Sequence, residues 1–121
     1  MTQPVIQYDE LSDTLTVSFV PSQRATGVEL NDHILLRLNK AEQQAVGLTL
    51  MDYSLLVQSD ELGVRNFPLS GLSQISEEMR AMVLTLIKNE PVNQFLSLSV
   101  YAPTFANAIP IASVKSVLAV A

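Results

Sequence analysis

From Val5 to Tyr53 apolar residues recur at every second position, the spacing of strands with one face in a core and the other in water. In TLTVSF, Leu15, Val17 and Phe19 share one face, opposite Thr14, Thr16 and Ser18. A shorter β-prone run, VIQY, precedes it. Pro21 and Gly27 bracket a polar loop that leads to GVEL, where Val28 and Leu30 flank Glu29. Asn31 and Asp32 then mark a tight turn, because both side chains bond their own main chain and tolerate left-handed backbone. HILLRLN follows, with Ile34, Leu36 and Leu38 on one face and His33, Leu35 and Arg37 on the other. After the turn NKAEQQ, AVGLTLMDY points Val46, Leu48 and Leu50 inward. Five short strands joined by turns too short for crossover helices predict an antiparallel β-meander.

Beyond Tyr53 the pattern changes. Residues 54 to 72 read as a loop-like link, marked by SD, NFP and SG. One amphipathic helix is expected within 73–90, running from Ser76 to Asn89. Ser76 caps it, Glu77 and Glu78 suit its positive end, Lys88 suits its negative end, and Pro91 forbids continuation. Ile75, Met79, Met82, Val83, Leu86 and Ile87 recur at three- and four-residue spacing and form the stripe that packs on the sheet, the two Met acting as core filler. Over 94–121, Phe95 to Tyr101 alternates. After Pro103 and Pro110 the tail reads as extended, with Ala112, Val114, Ser116, Leu118 and Val120 on one side, although Pro110 also suits the first turn of a short helix. The expected architecture is α+β in a single domain over 1–121: a β-meander packed by one helix, with a strand-rich C-terminal segment.

A chain of 121 residues is long enough for one hydrophobic core without metal or disulfide staples. Its charged fraction, 16%, falls below the average of roughly 25%, so part of the surface is uncharged and suited to a partner. Nucleic acid is excluded as that partner, because 7 basic against 12 acidic residues gives −5 and no two bases are adjacent. The acidity is uneven: residues 1–61 hold nine acids and three bases, residues 62–121 three acids and four bases. With no Cys, thiolate chemistry and disulfides are excluded, which fits a cytoplasmic location. No apolar run approaches the ~20 residues of a membrane-spanning helix, and the first ten residues lack the basic start and apolar core of a signal peptide.

The tempting chemistry lies in YDELSDTLTVSF, where Asp9 and Asp13 stand four residues apart with Glu10 between them. A metal or acid–base pair there needs a third converging ligand and a cleft, whereas a turn needs only Asp side chains that bond backbone N–H groups. The turn is the expected role. His33 is the only imidazole, so Ser-His-Asp catalysis or a histidine metal site would have to use it, and G-x-S-x-G is absent. A solvated His33, or one paired with its neighbour Asp32, is expected. Gly27, Gly47, Gly63 and Gly71 are too scattered for a phosphate-cradling loop. Tyr8, Tyr53 and Tyr101 read as core and rim packing. No catalytic, cofactor-binding or metal-ligating residue is assigned, and no cofactor is expected.

Residues Ile6 to Ser54 resemble the small bacterial domain-of-unknown-function family twenty-two eighty-three, which opens with Y-D-x-x-x-D-x-L and closes its meander with V-G-I-E-I-x-D-x-S. Here the opening is Tyr8, Asp9, Asp13 and Leu15, and the closing is VGLTLMDYS, Val46 to Ser54, with Thr49 where the family often has Glu. Gly27-Val28-Glu29 and Asp32 fall where the family carries its third strand and turn. The resemblance implies a small antiparallel sheet with a helix, and it implies no activity. The expected function is a non-catalytic module that self-associates as a homodimer or binds another protein. The competing expectation is a small-molecule-binding protein or weak hydrolase using Asp9, Asp13, Asp32 and His33.

Overall fold

The structure, a computed structural model, describes residues 4–20, 24–60, 63–104 and 107–116. The five alternating runs form strands β1 (Val5–Asp9), β2 (Thr14–Ser18), β3 (Thr26–Glu29), β4 (Ile34–Asn39) and β5 (Gln44–Met51), paired antiparallel throughout. Their order is β1-β2-β5-β4-β3. The meander runs through β3, β4 and β5, and β5 then docks on β2, so β3 lies at the far edge in a Greek-key arrangement. Residues 45–48 of β5 are buried on both faces, as suits a strand flanked on both sides. Rows of side chains cross the centre of the sheet: Leu15 and Ile34 both oppose Leu50, and Val17 and Leu36 both oppose Leu48, all fully buried. Each such side chain contributes up to ~1.5–3 kcal/mol of transfer free energy.

The segment expected as a loop-like link holds short elements: α1 (Tyr53–Leu56), the two-residue strands β6 (Ser59–Asp60), β7 (Gly63–Val64) and β8 (Phe67–Pro68), and a 3-10 turn at Ser70–Gln74. Two residues cannot show a period, so the alternation of the sequence carries no sign of them. The 3-10 turn is clamped to the sheet by close backbone approach at Gly71, whose N–H donates to Leu30 O at 2.8 Å. A Cβ at this position would collide with the Glu29 carbonyl.

Helix α2 (Glu77–Lys88) begins at the expected cap, where Ser76 Oγ accepts from Met79 N at 3.1 Å. It is the longer of two α-helices among the described residues. Val83 and Ile87 are fully buried, whereas Leu86, expected to face the sheet, is only partly buried. The inner stripe therefore centres on the 83/87 pair. Arg80 ties the helix to the preceding turn through Leu72 O (2.9 Å) and Ile75 O (3.3 Å).

The C-terminal region forms a hairpin of β9 (Leu96–Thr104) and β10 (Asn107–Val114), with β8 on the other side of β10. The extended reading of the tail therefore holds through Val114, without Ser116, while Leu118 and Val120 lie outside the described residues, as does Pro21. Pro110 sits inside β10 at no cost to the β9 ladder: its carbonyl accepts from Leu69 N at 3.0 Å on the β8 side, and a strand residue's N–H points the same way as its C=O. Leu96, Ala112 and Val114 at the base of the hairpin join the same buried cluster as the first sheet and α2, and the Phe19 and Phe95 rings meet at 5.8 Å.

Candidate functional site

Two features stand apart from ordinary packing: a polar cluster at one end of the first sheet, and the uncovered distal half of the β9–β10 hairpin. The cluster centres on Asp13, the last residue of the β1–β2 turn, with φ +53°. Aspartate tolerates this left-handed conformation better than most residues, which helps place its carboxylate. That carboxylate accepts from Tyr8 Oη at 2.6 Å, Ser54 Oγ at 2.5 Å and Ser54 N at 3.1 Å, while the Asp13 carbonyl accepts from Tyr53 N at 2.9 Å. The Tyr8 and Tyr53 rings lie 6.0 Å apart, tilted by 60°. A turn near the N-terminus is thus fastened to the start of α1, about forty residues later.

Electrostatics follow the bonding. The Ser54 hydroxyl, and after it the Tyr8 hydroxyl, hold the Asp13 carboxyl below its ordinary pKa. The Tyr8 phenol is pushed up to about 12, first by its bond to Asp13 and also by that carboxylate's charge, because removing its proton would set two anions face to face.

The remaining candidate side chains take separate partners, and only some of them meet. Asp9 Oδ1 accepts from Leu11 N at 3.0 Å, the turn role expected of it. Asp32 is exposed beside Asn31, and it is Asn31 whose Oδ1 carries that turn, accepting from His33 N (2.8 Å) and Ile34 N (2.9 Å). His33 Nδ1 pairs with Asp52 Oδ2 at 3.0 Å, across the strands and not with the adjacent Asp32. Both side chains are about half exposed, so the pair contributes little to stability. Among the described residues no three His, Cys, Asp or Glu side chains converge as a metal site would require. The imidazole is paired with Asp52 and the Ser54 hydroxyl is bonded to Asp13, so the two sit in separate pairs.

Chemical reasoning on the sequence does not single out Ser54 or Asp52. The signal that marks them is the D-x-S that closes Val46–Ser54: Tyr8, Asp13, Asp52 and Ser54 all lie at this end of the sheet.

The second feature is a gradient. On the inward face of β9, Leu96 is buried, Leu98 half-buried and Val100 61% exposed. On the other face Tyr101 is 57% and Ile109 40% exposed. No charged residue lies between Leu96 and Val114. No helix among the described residues is long and apolar enough to cross a membrane.

Comparison with protein-family models, with curated proteins and with solved structures finds no match to this chain.

Proposed function

We propose that the protein is a non-catalytic, cytoplasmic module that self-associates as a homodimer, with the β9–β10 hairpin in the contact. The observation that carries this reading is the charge-free hairpin whose distal half leaves Val100, Tyr101 and Ile109 in solvent. An edge strand that carries no charged side chain of its own invites a further strand, and two-fold dimers are the commonest closed solution. The engagement of the carboxylates supports the non-catalytic part: Asp13 fastens two turns and Asp9 closes one. Light scattering coupled to gel filtration is the test. A particle of two 13.2 kDa chains is expected at micromolar concentration, and a mass of one chain across that range overturns the reading.

A further inference from the structure

A groove of about 390 Å³ runs between the end of α2 and β9, lined among others by Ile87, Lys88, Leu96, Ser97, Leu98 and Lys115. Successive strand residues point to opposite faces, so three consecutive β9 residues line one groove only where it follows the strand's edge. The groove therefore runs beside the unpaired N–H and C=O groups of β9, the outer strand of its sheet. Its lining is mixed, with Ile87, Leu96 and Leu98 beside Asn93, Gln94 and Ser97. Two of the four cationic side chains beyond residue 61, Lys88 and Lys115, stand at it, both exposed. Lys115 Nζ spends one of its three donors on Asn93 O at 2.8 Å.

A segment with the matching chemistry exists in the chain itself. Strand β1 is exposed at all five residues and pairs on one side only, with β2. Its Ile6 and Tyr8 oppose Val17 and Leu15, so they extend the core face of the first sheet into solvent at 40% and 36% exposure. Between Pro4 and Val20 there are three acids and no base, and Asp9 and Glu10 stand exposed at the end of the strand.

We propose that β1 of a second copy adds antiparallel to the β9 edge, with Asp9 and Glu10 of that copy against Lys88 and Lys115. This rests on the self-association given under Proposed function and names its contact. The antiparallel sense is the more stable pairing, and it is also the one that brings the acidic end of β1 to the base of β9, where the lysines are. With Ile6 opposite Val100 and Tyr8 opposite Leu98, the apolar face of β1 continues the inward face of β9. Reciprocal pairing in the two copies closes a two-fold dimer.

Charge exchange tests the contact. The paired variants Lys88→Glu/Lys115→Glu and Asp9→Lys/Glu10→Lys, each alone, are expected to weaken dimerisation about tenfold or more, since each sets like charges together. Mixed one to one, they are expected to form a heterodimer, because every contact between unlike chains again joins opposite charges. Variants that dimerise like the wild type, or a mixture that stays monomeric, overturn the proposed contact; a monomeric wild type overturns the self-association itself. The absence of Cys supplies a second measurement that does not depend on charge. Ile6→Cys and Val100→Cys chains, mixed and oxidised in air, are expected to yield a disulfide-linked pair, and no cross-linked product means that the two edges do not meet.

Discussion

β5 and β9 are built from the same kind of residues. QAVGLTLM and LSLSVYAPT are both charge-free, of similar length, and rich in alternating aliphatic side chains. β5 lies between β2 and β4 and is buried along most of its length, whereas β9 has one neighbour and opens progressively to solvent towards its tip. Alternation without charge therefore occurs both in a strand paired on two edges and, among the described residues, in one paired on a single edge. It does not by itself fix the number of neighbours.

The contrast is broken most strongly at its centre. Leu48→Ala, in the fully buried row across β2, β5 and β4, is expected to cost about 2–5 kcal/mol, read as a fall in the urea midpoint. The same substitution at Ile87 belongs to this class, while Leu86→Ala, on the flank of the helix stripe, is expected to cost less than half as much. Equal midpoints for the two helix variants would mean that α2 presents a different face. Gly71→Ala drives a methyl into the Glu29 carbonyl and is expected to cost about 1–3 kcal/mol through displacement of the 3-10 turn from β3, measurable by the same titration.

At the polar end of the sheet, Asp13→Asn removes a charge while keeping the side chain's shape, so its effect is resolved by pH. A carboxyl whose pKa is depressed in the folded state contributes stability above its unfolded value, near 4, and loses it as pH falls through the depressed value. Wild-type midpoints are therefore expected to decline on acidification below about pH 4, and the Asn variant to lack that part of the decline. For Tyr8 the sign reverses. A raised pKa means that the folded state holds its proton longer, so stability falls as pH climbs from the usual value near 10 to about 12, and Tyr8→Phe is expected to flatten that limb. Parallel pH profiles for wild type and variants would show that the bonds to Asp13 do not persist in solution. The smallest expected effect on monomer stability is at Val100→Ser, within about 0.5 kcal/mol, because the side chain is already in water. Its expected signature is a lower dimer mass at equal concentration, and an unchanged mass would separate β9 from the contact.

Most of the elements are legible in the residues, and most of their neighbours are not. The first five strands carry a period of two, and α2 carries caps at both ends together with a stripe, so local physics defines them. The docking of β5 on β2 is a long-range choice between residues some thirty apart, which no local pattern specifies. The 54–72 link conceals α1 and three two-residue strands because elements that short have no period. Among the candidate side chains, the turn role of Asp9 follows from the chemistry of Asp beside free N–H groups, whereas the Asp13 carboxylate, expected to do the same, bonds Tyr8 and Ser54 instead. The bond from Asp13 to Ser54 is not legible in this way, since it depends on that same strand order. His33, expected to be solvated or paired with Asp32, stays partly exposed but pairs with Asp52, which is brought alongside by the antiparallel pairing that joins Met51 N to His33 O at 2.8 Å.

The Greek-key order of the first sheet also has a bearing on how the chain is made. The β1–β2 hairpin leaves the ribosome first, but the strand that covers the free edge of β2 ends at Met51, about thirty residues later. At ordinary synthesis rates of roughly 5–20 residues per second, Leu15 and Val17 wait some two to six seconds for Leu50 and Leu48. During that interval the β1–β2 hairpin presents an apolar face whose only charged side chains, Asp9, Glu10 and Asp13, are acidic, and their mutual repulsion between neighbouring nascent chains acts against premature association.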